Sequence, residues 1–178
     1  MKNKNKKVPF FARPLYKESK AIEATYNDET YVFAGTKSEL KEYRIISIIS
    51  CIVAAALVIG QSALRIEGMQ STLYIIIPYM LEFLGTFLFV VFSINLMEHA
   101  PSMTKRKYAQ TVKTLPIIEI IVAASALAGI IGSIIYLIIN GFENCIAARI
   151  FYMILKAALL SLMIFMRLFL NKKEWQVE

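Results

Sequence analysis

The chain has 178 residues, of which 57% are apolar and only 19% are charged, and its net charge at pH 7 is +7. This apolar content exceeds that of soluble domains, so the composition excludes an ordinary water-soluble globule. It also excludes a disordered chain, a collagen and a disulfide-rich secreted module. The sequence therefore predicts a small integral membrane protein.

Four apolar runs follow one another along the chain, and each is near the roughly 20 residues that a helix needs to cross a bilayer. The lipid core offers the backbone no hydrogen-bond partners, and the runs lack the alternating pattern of barrel strands, so we expect helices. The predicted spans are 45–64, 73–97, 115–139 and 150–170. The expected fold class is an all-α integral membrane protein, a four-transmembrane-helix bundle.

Basic residues near the ends of spans favour the cytoplasmic side of a membrane. Ten precede the first span, four lie between the second and third spans and two lie in the tail, against one in each of the other connections. Both termini are therefore predicted to be cytoplasmic, in a multi-pass protein of the cell (plasma) membrane. The expected parts are a cytoplasmic N-terminal segment, 1–43, a transmembrane domain, 44–171, and a tail, 172–178.

The N-terminal segment carries two local structure signals just before the first span. Residues 30–34 (TYVFA) predict a short strand that ends at Gly35. Thr36 and Glu39 have the capping-box spacing that begins a helix, so the first helix is expected to begin near Lys37, before the membrane.

The loop between the second and third spans is predicted to contain a short helix capped by Ser102 or Thr104. Its basic face would consist of Lys105, Arg106 and Lys107. These three residues are candidates for contact with lipid headgroups or a protein partner. The alternative is that their charge only fixes the topology.

Four ionisable side chains lie inside the predicted spans: Glu82, Glu119, Lys156 and Arg167. A charge near the bilayer centre costs at least about 2.5 kcal/mol to insert, so such residues face the bundle interior, a cavity or a partner. Glu82 and Lys156 fall at similar depths from one end of the bundle, and Glu119 and Arg167 from the other. The sequence thus predicts two intramembrane charge pairs, or an ion site at Glu82.

The third span also contains small residues four apart, which allow helices to approach closely where tight packing replaces the hydrophobic effect. This spacing makes the third span the expected centre of the bundle. The small residues are Ser125, Gly129 and Ser133 on one stripe, and Ala124, Ala128 and Gly132 on another.

Two functions are compatible with these patterns. Charge pairs that lock the helices in register, or that pair with another subunit, favour a non-catalytic subunit or accessory factor of a membrane complex. A membrane carboxylate can instead bind and release a proton, so the alternative is a small ion-coupled transporter with Glu82 as the proton or cation site.

Catalysis is not expected, because the chain has a single histidine and a single aspartate and no metalloprotease, paired-cysteine or phosphate-loop motif. A lipid-acting enzyme based on Glu82 or Glu119 is a minor alternative. No cofactor or metal is predicted. The expected partners are the lipid bilayer and a protein partner or further copies of the chain, but not nucleic acid, since the topology accounts for the basic charge.

Overall fold

The computed structural model describes residues 30–64, 72–140, 146–171 and 175–177. These residues are mostly helical, and four helices are long and apolar enough to cross a membrane. In chain order the elements are β1 (Thr30–Phe33), α1 (Lys37–Ala63), α2 (Leu73–His99), β2 (Ser102–Thr104), α3 (Lys105–Thr111), α4 (Leu115–Asn140), α5 (Ile146–Asn171) and β3 (Trp175–Val177). The prediction of four apolar helices of spanning length is confirmed.

The capping box that begins α1 is present as predicted. The Thr36 hydroxyl accepts a hydrogen bond from the Glu39 backbone N–H at 3.3 Å, and the Thr36 N–H donates to Glu39 Oε2 at 2.7 Å. These bonds satisfy backbone donors that the first helical turn leaves without partners. Helix α1 therefore begins at Lys37, well before its apolar run.

The four long helices form a bundle in which α4 packs extensively against α2 and α5. Helix α1 also contacts α2 and α5, so it lies across the bundle from α4. The surface of the bundle is rich in exposed isoleucine, leucine and phenylalanine, as a surface in contact with lipid requires. The integral membrane character predicted from composition agrees with this surface.

A three-stranded antiparallel sheet covers one end of the bundle, which we call the sheet end. Its strand order is β2-β1-β3, with Tyr31 opposite Met103 in one pair and Val32 opposite Gln176 in the other. The Arg44 side chain of α1 donates to the Ala100 carbonyl at 2.6 Å and so joins α1 to the end of α2. We call the opposite end, where α1 ends and α2 begins, the far end.

The sheet brings together the three segments for which the sequence predicts a cytoplasmic position. Tyr31 of β1 stacks on Tyr108 of α3 with ring centroids 4.1 Å apart, and Phe33 contacts Trp175 of β3 at 5.6 Å. The predicted strand at 30–34 is thus confirmed as β1. Which side of a membrane the sheet end occupies stays a prediction.

The predicted helix between the second and third spans is α3, which follows Thr104. The Thr104 side chain makes no capping hydrogen bond, and Ser102 belongs to β2. The pairing of β2 with β1 holds this segment instead. Within α3, the Thr111 hydroxyl donates to the Lys107 carbonyl at 2.6 Å. Lys107 and Arg106 are exposed, and Lys105 is half-buried.

Candidate polar site in the bundle interior

The centre of the site is an ion pair between α2 and α5. Lys156 Nζ donates to Glu82 Oε2, and both residues have 0% of their surface exposed. Helical spacing places Glu82 on the same face of α2 as Thr86 and Ser93, which are also buried. The structure therefore brings together the two residues that the sequence placed at one depth.

A glycine of α4 makes room for the lysine. A Cβ added at Gly129 would lie 2.6 Å from both Cε and Nζ of Lys156. Such a distance is shorter than any ordinary carbon contact, so the Lys156 side chain lies directly against the backbone of α4. The close approach that the small-residue spacing predicts at Gly129 thus also positions the ion pair.

Two tyrosine rings flank the lysine ammonium group. Lys156 Nζ is 4.8 Å from the ring centroid of Tyr152, which precedes it by one turn of α5, and 6.0 Å from the ring centroid of Tyr79 in α2. The faces of aromatic rings attract a cation at these distances. The rings add to the stabilisation of a charge that has no exposed surface.

The remaining helix, α1, contributes Gln61. Thr86 lines one groove of about 220 Å³ together with Val58 of α1, and Gly60 lies next to Leu155 of α5. Because α1 runs antiparallel to α2 and α5, Gln61 lies within about one turn of the level of Glu82 and Lys156. Gln61 is also 0% exposed.

Several buried polar atoms at the level of the ion pair have no hydrogen-bond partner among the residues that the structure describes. These atoms are Glu82 Oε1, the Thr86 hydroxyl, the Tyr152 hydroxyl and both polar atoms of the Gln61 side-chain amide. We call Glu82, Thr86, Tyr152 and Lys156, together with Gln61 at a similar level of the bundle, the polar cluster. A buried polar atom without a partner costs about 1 to 3 kcal/mol, so these atoms are groups to which a polar species could hydrogen-bond.

Apolar side chains close the bundle on the side of the polar cluster that faces the sheet end. Phe89, Val122 and Leu159 are each 0% exposed, and Met163 is 1% exposed. Phe89 lies one turn from Thr86 toward the sheet end. The polar cluster thus belongs to the half of the bundle nearer the far end.

The second predicted pair has a different geometry. Glu119 and Arg167 line one groove between α4 and α5, yet neither oxygen of Glu119 has a hydrogen-bond partner within the described ranges. The Arg167 guanidinium donates instead to the backbone carbonyl of Pro116 at 3.1 Å. The two residues are neighbours, as the sequence places them, but they form no ion pair.

The small residues of α4 occupy three kinds of position. Gly132, like Gly129, lies against another helix, with its Cβ position 2.7 Å from the Tyr74 carbonyl oxygen. Ser125 and Ser133 are buried, and their hydroxyls donate to the carbonyls one turn earlier, at 2.7 and 2.8 Å. Ala128 is exposed on the surface of the bundle. One stripe therefore packs inside the bundle, and the other only in part.

Sequence reasoning did not select Gln61 or the Tyr152 hydroxyl for this site. Gln61 lies near the end of an uncharged apolar run, where a polar residue is ordinary, and Tyr152 has the position of an interface anchor. The only signal for Gln61 was an amide within the apolar run that begins at Ile45.

The ligand atoms of the polar cluster are oxygens, with one amine and one amide nitrogen. Within the described part of the chain, no three His, Cys, Asp or Glu side chains come together as a transition-metal site requires. Comparisons of the chain with protein-family models, curated proteins and solved structures find no match.

Proposed function

We propose that this multi-pass membrane protein is a small ion-coupled transporter whose ion site is Glu82 within the polar cluster. The observation that supports this proposal is the set of unpartnered polar atoms around the buried ion pair. A pair that served only to fix the helices would be most stable with every neighbouring polar atom hydrogen-bonded, because a partly satisfied polar network is costly in a low-dielectric interior. A bound ion or water supplies the missing partners.

The backbone near Glu82 has a feature suited to movement. Pro78 lies inside α2, one turn before Glu82, and has no N–H to donate to the carbonyl one turn earlier. Proline-interrupted membrane helices bend more easily, and interrupted helices are common where transporters bind their ions. This interruption supports transport at Glu82 rather than a permanently fixed contact.

Proton movement in liposomes tests the proposal. Purified protein is reconstituted into vesicles that contain Na⁺ and K⁺ salts and a pH-sensitive dye, and the vesicles are diluted into choline medium. We expect wild-type protein to accelerate the pH change at least about tenfold over protein-free vesicles, and Glu82→Gln to remove the acceleration. Glu98→Gln, which removes an exposed carboxylate at the other end of α2, is the matched control.

The wild-type rate separates transport from a purely structural pair, and the charge-swapped variant shows that the pair can be reversed without loss of the fold. If the pair only fixes the helices, Glu82→Lys with Lys156→Glu restores the fold, and neither the swapped protein nor the wild type moves protons. If Glu82 is an ion site, the swapped protein folds but stays inactive, because the carboxylate no longer lies beside Thr86. A wild-type rate equal to that of protein-free vesicles contradicts the proposal.

A second candidate is a non-catalytic subunit or accessory factor of a membrane complex. The sheet end favours it, since the sheet joins parts of the N-terminal segment, the loop between α2 and α4, and the tail into one surface. Arg106 and Lys107 are exposed beside that sheet and could contact lipid headgroups or a partner protein. Gentle purification from native membranes and mass measurement of the intact complex test this candidate, and a chain found alone or only with its own copies contradicts it.

A further inference from the structure

A groove between α4 and α5, which we call the α4–α5 groove, combines two charged residues with an apolar lining. Glu119 and Arg167 line the end of it that is nearer the sheet end, and its volume is about 210 Å³. The apolar residues along the rest of it include Ile120, Ala124, Leu127, Leu160 and Ile164. We propose that the α4–α5 groove binds one phosphatidylethanolamine molecule, with its phosphate at Arg167, its ammonium group at Glu119 and one acyl chain along the apolar part.

The α4–α5 groove changes from charged to apolar along the helix axes, as a phospholipid does along its length. Glu119 lies four residues, or about 6 Å, from the start of α4, and Arg167 lies equally far from the end of α5. Leu127 and Leu160 lie about 10 to 12 Å further toward the far end. Because the apolar run of α4 begins at Leu115, the charged end is near the level of lipid headgroups and the apolar end is among the acyl chains.

The apolar part of the α4–α5 groove lies on the lipid-facing surface of the bundle. Ile120 and Ile164 are each 48% exposed, and Leu127 is 49% exposed. Ala124, which lies between the two exposed residues of α4, is also exposed, and its small side chain leaves room beside α5. In a bilayer the acyl chains cover such a surface, so a lipid reaches the groove directly from the membrane.

Glu119 lacks both a hydrogen-bond donor and an ion-pair partner. It is 1% exposed, and neither carboxylate oxygen has a hydrogen-bond partner in the part of the chain that the structure describes. A buried carboxylate without a partner is costly inside a membrane protein. A primary ammonium group supplies both a positive charge and three N–H donors. Since the oxygens of Glu119 have almost no exposed surface, its side chain has to turn toward the ammonium group when the lipid binds.

Arg167 supplies the complementary charge for a phosphate. Its guanidinium has five N–H donors, and one terminal nitrogen donates to the Pro116 carbonyl at 3.1 Å. The side chain is half-buried, and arginine binds phosphate through paired hydrogen bonds. Together Glu119 and Arg167 are neutral, which matches a zwitterionic headgroup. An anionic lipid would leave Glu119 without a positive partner, and the quaternary ammonium group of phosphatidylcholine has no N–H to donate.

The α4–α5 groove is separate from the polar cluster. Glu119 lies ten residues, or about 15 Å, before Gly129, the residue of α4 that lies against Lys156. Val122, which is 0% exposed, lies between these two levels of α4. Lipid binding therefore requires no ion and no movement at Glu82, and it does not depend on the proposed transport function.

Native mass spectrometry of the full-length chain, released from detergent micelles, tests the proposal with synthetic lipids that share identical dioleoyl chains. Phosphatidylethanolamine, its N,N-dimethyl derivative, phosphatidylcholine and phosphatidylglycerol are compared at equal concentrations. We expect one phosphatidylethanolamine per chain. Phosphatidylcholine and phosphatidylglycerol should bind at least about tenfold more weakly, which is the scale of a lost hydrogen bond to a charged group. The dimethyl lipid, which retains one N–H, should bind with intermediate affinity.

Three variants and a matched control assign the binding to the α4–α5 groove. Glu119→Gln should remove the preference for phosphatidylethanolamine over phosphatidylcholine, because the amide keeps the shape of the side chain and loses its charge. Arg167→Met should weaken both of these lipids about tenfold through the loss of the phosphate contact. Ala124→Leu fills the groove and should weaken every lipid. Ala128→Leu, at an exposed position one turn further along α4 that does not line the groove, should behave as wild type.

Two results from the wild-type chain overturn the proposal: phosphatidylcholine that binds as tightly as phosphatidylethanolamine, and the absence of any complex with one lipid per chain. Unchanged lipid binding by the Ala124→Leu variant also contradicts it. A lipid-free dimer that Ala124→Leu dissociates would assign the groove to a second copy of the chain and would overturn it as well. Because no proton movement is measured, this result and that of the vesicle assay for transport are independent.

Discussion

Lys156 and Glu82 form an ion pair in an interior where neither side chain has any exposed surface. Removal of either partner would leave the other as an unpaired polar or charged group away from water. In soluble proteins the loss of one member of a buried pair costs about 3 to 5 kcal/mol, much more than an exposed pair contributes. Glu119 differs because Arg167 donates to a backbone carbonyl instead of to its carboxylate.

This difference predicts unequal coupling in two double-mutant cycles. Glu82→Gln and Lys156→Met should each lower the free energy of unfolding by about 3 kcal/mol or more, and the double variant should cost clearly less than their sum. Glu119→Gln and Arg167→Met should combine almost additively, within about 0.5 kcal/mol. Melting temperatures of the purified variants in one detergent would measure both cycles. Equal coupling in the two cycles would contradict the contacts described above.

At the scale of helices, the approach of α2 to α4 depends on a proline and a glycine. Pro78 leaves the Tyr74 carbonyl without the N–H that would normally bond it one turn later. The same carbonyl oxygen is the atom that a Cβ at Gly132 would meet at 2.7 Å. Since that atom belongs to the backbone, it cannot rotate away as a side chain could. A larger residue at position 132 therefore has to separate the two helices.

We therefore predict opposite responses to one added methyl group at two glycines. Gly132→Ala should destabilise the bundle by about 1 to 3 kcal/mol, because overpacking forces a backbone shift. Gly60→Ala should be neutral or slightly stabilising, since its Cβ would lie 3.6 Å from Leu155 Cδ1, an ordinary contact, and alanine favours helix. The two melting temperatures, compared with that of wild type, test this pair. A tolerant Gly132→Ala variant would show that α2 and α4 are less closely packed.

The positions of the membrane-spanning helices can be predicted from local sequence patterns, whereas the polar site depends on how the helices pack against one another. The apolar runs and the Thr36–Glu39 spacing were sufficient to predict four helices and the start of α1, because both signals lie within short segments. Equal depth along the helices correctly predicted that Glu82 lies beside Lys156. The same argument also predicted a pair between Glu119 and Arg167, but Arg167 donates to a backbone carbonyl of the neighbouring helix instead. The sequence did not predict the position of Gln61, because only the antiparallel packing of α1 places this residue near the level of Glu82 and Lys156.

At the scale of the whole molecule, the sheet joins the segments from which the orientation in the membrane is predicted. The strands β2, β1 and β3 come from segments that are distant in the chain, yet they pair at one end of the bundle. Sixteen of the basic residues outside the predicted spans belong to those segments and two to the connections at the far end. The positive-inside rule therefore assigns the sheet to the cytoplasm and the far end to the outside.

Cysteine labelling in intact cells tests this orientation with residues that the chain provides. Cys145 lies in the connection between α4 and α5, outside the described residues, and the sequence predicts that a membrane-impermeant maleimide reaches it from outside. Cys51 is buried within α1, so it contributes little background. In the matched Ser102→Cys, Cys145→Ser variant, the new thiol replaces an exposed serine of β2, and labelling should require permeabilised cells. The reverse pattern would place the sheet outside, against the distribution of basic residues.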